Sequence, residues 1–143
     1  QAQITNLLQD VQRRTGISYL FISHGLSLVR HISHRVAVMY LGKIVEIGSV
    51  AELFDNPRHP YTRALIAAAP EPSANKRAST VLQGEVPSPI DLPSGCRFHT
   101  RCPFARDRCS KDEPVWREIA PAHHVACHFA EEFDFSRPRP ETA

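Results

Sequence analysis

Ile17-Ser18-Tyr19-Leu20-Phe21-Ile22-Ser23-His24-Gly25 is the stretch whose conformation decides the fold. Residues 17–22 are apolar, rich in β-formers, and bounded by Gly16 on one side and the polar Ser23-His24-Gly25 on the other. That is the composition of a strand buried on both faces, as in a parallel sheet. Leu26, Val29 and Ile32 follow at helical spacing. Val36-Ala37-Val38-Met39-Tyr40 reads as a second buried strand, Gly42 as a tight turn and Lys43 to Ile47 as a third strand. Strand, helix and strand in this order predict a βαβ unit with a right-handed crossover. So short a connection lets the third strand pair antiparallel with the second. The expected fold class is α/β.

Upstream, Ile4, Leu7, Leu8 and Val11 recur at i, i+3, i+4 and i+7, which predicts an amphipathic helix ending at Gly16. Downstream, Ser49 and Glu52 have the spacing of a capping box, so a short helix is expected through Phe54. Asp55-Asn56-Pro57 stops it. A second short helix is predicted from Pro60 to Ala68, with the proline in its first turn.

The chain changes character along its length. All 12 prolines lie from Pro57 onward and all four cysteines from Cys96 onward. Regular elements therefore dominate the first third, and turns, an extended Pro-rich linker over 70–93 and a Cys-rich knot the rest. Residues 134–143 are polar and Pro-containing, the composition of a disordered tail. A formal charge of +2 over 143 residues gives no basis for nucleic-acid binding. No apolar run approaches the length of a membrane span, and no leader of charged-then-apolar type opens the chain. It begins at Gln1, inside a helical pattern, which reads as a fragment.

His24 sits just past the C-terminal end of the first expected strand, the edge where open α/β sheets bind ligands. A histidine there can donate to a phosphate oxygen. From position alone, a turn histidine with a satisfied ring and no chemical role is the favoured reading.

The neighbouring residues carry a resemblance that changes this. Ser23-His24, then Val29-Arg30-His31-Ile32, then Arg35 through Glu46 resemble the region after the switch histidine of ABC-transporter ATPases. Gln1-Ala2-Gln3-Ile4 resembles the helix after the D-loop in the same family, so the resemblance covers residues 1–55 almost continuously. It implies that His24 contacts the γ-phosphate of ATP across a dimer of nucleotide-binding domains and helps organise attack by water. Such an ATPase works by positioning and charge stabilisation. Two departures stand out: Gly25 and His34 occupy positions where the family usually has Asp. The lost carboxylates would leave this loop less well tied. The P-loop, Gln loop, signature motif and Walker B carboxylates, which hold ATP and Mg²⁺ in the family, would lie upstream of Gln1.

Asn56-Pro57-Arg58-His59-Pro60-Tyr61-Thr62-Arg63-Ala64-Leu65 resembles the C-terminal extension of the oligopeptide, dipeptide and nickel branch of ABC importers. Pro57 and Pro60 fix the backbone on either side of His59, and Tyr61 and Leu65 share a helix face. A structural corner that docks the extension is preferred to any ligand role for His59. The branch implies peptides as the imported substrate, with nickel as the other option.

Cys96, Cys102, Cys109 and Cys127 are spaced C-x5-C-x6-C-x17-C. Disulfides need an oxidising compartment, which an ATPase does not share. Structural zinc sites usually contain short C-x2–4-C knuckles, and none occurs here. A [4Fe–4S] cluster also takes four cysteines and tolerates more varied spacing. Pro103 after Cys102 suits a ligand at a helix start, and Arg97, Arg101, Arg106 and Arg108 are placed to offset cluster charge. Gly95 through Pro103 again resembles the peptide-importer branch, whose members with this pattern are associated with a [4Fe–4S] cluster. The cluster ranks above zinc, and a structural staple above electron transfer. His99, His123, His124 and His128 are expected at the surface or in packing.

The expected organisation is thus the C-terminal part of a P-loop-type ABC ATPase domain over residues 1–56 and a helix and linker over 57–93. A Cys-rich subdomain over 94–133 and the tail complete it. In the intact protein the resemblance implies two membrane permease subunits, a second ATPase subunit and an extracytoplasmic peptide-binding protein as partners. It also implies a peripheral position on the cytoplasmic face of the inner membrane. A non-enzymatic metal-binding or interaction module built on residues 94–133 is the rival, and a βαβ unit ending in Ser23-His24 is what such a module would not need.

Overall fold

The computed structural model describes residues 2–69 and 84–133. Residues 70–83 of the expected linker and the expected tail, 134–143, lie outside the described residues. Helices α1 (Ala2–Thr15) and α2 (Leu26–Ile32) precede a hairpin of β1 (Arg35–Tyr40) and β2 (Lys43–Ser49). Helices α3 (Val50–Asp55) and α4 (Pro60–Ala68) follow, then α5 (Asp107–Lys111), β3 (Arg117–Ala120) and β4 (His123–Val125). Single 3-10 turns lie at His99–Arg101 and Ala130–Glu132. The strands form one antiparallel sheet in the order β1-β2-β4-β3, so a strand of the Cys-rich segment pairs directly with the hairpin.

Local sequence signals hold where the bonds they need are short-range. Gly16, at φ +70°, donates its N–H to Gln12 O and ends α1. Leu41 and Gly42, at φ +45° and +77°, form the two-residue turn of left-handed residues that matches strand twist in a hairpin. Ser49 and Glu52 form the expected capping box, with Ser49 Oγ accepting from Glu52 N–H at 3.2 Å and Glu52 Oε2 accepting from Ser49 N–H at 3.1 Å. His59 caps α4: its Nδ1 accepts the Tyr61 N–H at 3.1 Å, and Pro60 fills the first helical position.

The predicted βαβ unit does not form. Residues 17–22 make no strand, and Ile17, Leu20, Phe21 and Ile22 are exposed, Leu20 and Ile22 almost completely. A strand of this kind must pair on both edges and be covered on both faces. No described element offers either, so its backbone groups stay in water. The face of α1 is similarly uncovered at Ile4 and Leu7, while Gln9 Nε2 reaches His31 O of α2 at 3.4 Å. What remains is a mixed helix and sheet structure whose sheet is antiparallel throughout.

The core lies between the hairpin, α3, α4 and the Cys-rich segment. Val38, Tyr40, Val45, Leu53 and Phe98 are buried together, with Tyr61 and Leu65 packed against them from α4. Tyr40, Tyr61 and Phe98 pack ring on ring, with centroids 4.7 to 5.3 Å apart. A second cluster of Val125, Cys127, Ala130 and Phe133 continues it. The pairing of β1 with β2 slips between Val38–Glu46 and Met39–Ile44, a bulge that leaves Val45 as the extra residue. Two consecutive side chains, Val45 and Glu46, are buried there.

Candidate functional site

His24 is exposed on the loop between α1 and α2. The Gly25 N–H donates to Ser23 Oγ at 3.0 Å, and Gly25 O accepts from Val29 N–H at 3.1 Å. The serine hydroxyl and the first helical bond thus hold the turn. The His34 carbonyl likewise accepts from Val50 N–H at 3.2 Å, tying the start of β1 to α3.

Cys96, Cys102, Cys109 and Cys127 come together. All four line one small cavity, of about 20 Å³, and none is in a disulfide. Three of them sit in the same local motif: Cys96-Arg97-Phe98, Cys102-Pro103-Phe104 and Cys127-His128-Phe129. In each, the phenylalanine N–H two residues on donates to the cysteine sulfur, and the phenylalanine itself lines the cavity. The sequence reading missed this repeat, although the Cys-x-Phe spacing is visible in it. Cys109 is brought in differently, through a 2.8 Å bond from Cys96 N–H to Cys109 O. Gly95, at φ +63°, makes that approach possible: a Cβ there would lie 2.5 Å from Cys109 O.

Burial dominates the thiols. It pushes Cys102 up to about 11 and Cys127 up to about 12, and raises Cys96, each only partly offset by the backbone N–H donors. These groups are therefore protonated and inert at neutral pH unless a metal displaces the proton. Among the described residues, no group of three or more Cys, His, Asp or Glu side chains is arranged to hold a metal ion.

Three of the four arginines expected to offset a cluster are engaged elsewhere, whereas the buried Nε of Arg101 has no hydrogen-bond partner among the described residues. The Arg97 guanidinium donates to Leu41 O, Arg106 pairs with Glu132 at 2.5 Å and Arg108 with Asp112 at 3.5 Å. Each finds an acceptor on a neighbouring turn before it can reach the cavity. Of the four histidines expected at the surface or in packing, His123 is buried, with Nε2 2.8 Å from Glu46 Oε1. Glu46 also accepts the N–H groups of Arg58 at 2.7 Å and His59 at 3.0 Å. One carboxylate thereby holds β2, the start of α4 and β4 together. No sequence pattern pointed to Glu46, because only the bulge turns it inward.

The cavity thus lies where the start of α4 meets the Cys-rich turns. Residues 45–109 match the family described as the C-terminal region of oligopeptide/dipeptide transporters. The chain is related to the ATP-binding proteins of peptide ABC transporters and matches their C-terminal portion. It is 53% identical over 131 residues to the oligopeptide transport ATP-binding protein AppF of Bacillus subtilis. It is 57% identical over 129 residues to y4tS of Sinorhizobium fredii, named as a peptide ABC transporter ATP-binding protein, and 51% identical to a peptide import ATP-binding protein of Brucella ovis. About 90% of this chain is covered in the first two, and 89% in the third. The chain spans only 36% to 40% of the length of these relatives.

Proposed function

We propose that the chain serves as the C-terminal part of an ATP-hydrolysing subunit that energises peptide import through an ABC transporter. The observation that carries this is identity of 51% to 57% over nine tenths of the chain to proteins named for ATP binding in peptide transport. His24 is then the switch histidine, whose imidazole donates to the γ-phosphate of ATP held by loops outside this chain. Its exposure on a loop leaves it accessible to such a ligand. The partners are two permease subunits, a second ATPase subunit and, through the complex, an extracytoplasmic peptide-binding protein. The subunit is peripheral on the cytoplasmic face of the membrane. No described helix is long and apolar enough to cross one.

The test is His24→Ala in the full-length subunit. ATP binding should persist, since the loops around the triphosphate supply most of it. Hydrolysis and peptide uptake should fall by roughly 100- to 1,000-fold, as when a single donor to developing charge is removed. Unchanged turnover would reduce His24 to a turn residue.

We further infer that Cys96, Cys102, Cys109 and Cys127 ligate a [4Fe–4S] cluster. The donor set fits it. Four reduced sulfurs share one cavity, three accept backbone N–H bonds that stabilise thiolate, and Phe98, Phe104, Phe129 and Phe133 line it. A tetrahedral zinc about 2.3 Å from each sulfur would draw the four into mutual contact. The fit is one of donor identity, since the cavity of about 20 Å³ is smaller than a cluster. When bound, it supplies a staple for residues 94–133.

A further inference from the structure

His59 reaches the cysteine cavity from outside the Cys-rich segment. Among the described residues, only His59 and its neighbour Pro60 line the cavity from outside the Cys-rich segment; every other lining residue lies between Cys96 and Phe133. His59 is 1% exposed, and its ring packs 5.7 Å from that of Phe98, the phenylalanine of the first Cys-x-Phe motif. The residue is fixed at two points. Its backbone N–H donates to Glu46 Oε2 at 3.0 Å, and its Nδ1 accepts the Tyr61 N–H at 3.1 Å.

The second contact settles the tautomer. A ring nitrogen that accepts a backbone N–H carries no proton, so in the neutral ring the proton is on Nε2. Among the described residues no protein group accepts from Nε2. The other two histidines of the cavity each have a ring nitrogen on a backbone carbonyl: His99 Nδ1 on Cys96 O and His128 Nε2 on Asp112 O, both at 2.9 Å. Both are also only partly buried. His59 is therefore a buried residue fixed at two points in the wall of the cavity that the four cysteines also line, a cavity otherwise walled largely by aromatic carbon.

The geometry points to His59 as a hydrogen-bond donor, through Nε2–H, to the sulfur of the iron–sulfur group held by the four cysteines, and so as a residue that sets its reduction potential. This rests on the cluster reading above. Donors to cluster sulfurs stabilise the more negative, reduced state, so their number and placement tune the potential. The short helix start that docks the extension on Glu46 would then carry a second role, in which one residue ties the hairpin through its backbone N–H and serves the cluster through its ring.

The test uses the wild-type protein, His59→Asn and His59→Phe, all purified without oxygen. Asparagine keeps an oxygen for the Tyr61 N–H, a favourable cap, but is too short to reach the cavity. Phenylalanine keeps the ring volume and loses both nitrogens. Iron and sulfide content are measured first, then the midpoint potential and the electron paramagnetic resonance spectrum of the reduced protein. The expected result is a full iron content in His59→Asn, with a potential shifted to more negative values and an altered spectrum. His59→Phe should show the same shift where it folds. A wild-type protein without iron overturns the cluster reading and this inference together. A wild-type cluster with an unchanged potential in His59→Asn overturns the inference alone and leaves His59 as a helix cap. Iron lost from His59→Asn but present in the wild type makes the imidazole a ligand, which also overturns the donor role.

Discussion

Nε2 of His123 lies 2.8 Å from the Glu46 carboxylate, and both side chains are almost completely withdrawn from water. The contact bridges β4 and β2, and the same carboxylate caps two N–H groups at the entry to α4. Removing it strands three buried donors at once. Glu46→Ala should lower stability by about 3–5 kcal/mol, the cost of breaking a buried hydrogen-bonded pair. Urea denaturation followed by circular dichroism would measure this. The exposed Glu113, paired with Lys43, is the control, and its replacement by alanine should change the midpoint little.

The parts of the fold legible in the sequence are those specified within a few residues. The Leu41-Gly42 turn, the Ser49–Glu52 box and the Pro60 helix start each depend on neighbours in sequence. Residues 17–22 carry an equally clear apolar signal, but a buried strand is a property of its partners, and none is among the described residues. β3 and β4 were missed because Arg117–Ala120 and His123–Val125 are too short for alternation to register. They form because pairing of Glu46 with Val125 and Ile47 with His124 extends an existing sheet. At the candidate site, the cysteines were readable from their identity, whereas Gly95, Glu46 and the three phenylalanines act through contacts that spacing alone does not encode.

Stability should fall on mild acidification, and His59 is the reason. Burial pushes its imidazole down to about 4, against an upward pull from Glu46. Above about pH 6.5 the ring is neutral folded and unfolded, and the native state is at full strength. As pH falls below that value the unfolded chain takes a proton that the native state refuses. The loss grows until pH passes through about 4, where it levels at up to about 3 kcal/mol. Melting temperatures between pH 7.5 and 4 should therefore decline for the wild type and decline less for His59→Asn. Parallel curves for the two proteins would contradict the assignment.

The proposed cluster sets the metal to be expected. Protein purified without oxygen should be brown and contain about four irons with matching acid-labile sulfide per chain. Because the thiols are held protonated by burial, loading should release protons and become more favourable as pH rises. Serine at Cys96, Cys102, Cys109 or Cys127 should lower iron content sharply. One zinc and no iron in the anaerobic preparation would make the site a zinc staple.

Gly95 should matter as much as a ligand although it has no side chain. Its Cα lies against the turn that carries Cys109, where a Cβ would sit 2.5 Å from Cys109 O and 3.0 Å from Ser110 O. Those are backbone atoms, so relief requires moving the Cys109 turn away from Cys96, against the 2.8 Å bond between them. Gly95→Ala should thus separate two of the four sulfurs and reduce iron content nearly as far as Cys109→Ser. Gly84→Ala isolates the cause. Gly84 has a similar left-handed backbone, at φ +83°, so alanine there meets the same intrinsic strain. Among the described residues, its Cβ would approach the Arg101 side chain, at 3.8 Å, an ordinary contact. Iron bound per chain, measured alongside far-ultraviolet circular dichroism, should drop in Gly95→Ala and hold in Gly84→Ala with both proteins folded. Equal iron in the two variants would mean that close packing at Gly95 does not set the distance between Cys96 and Cys109.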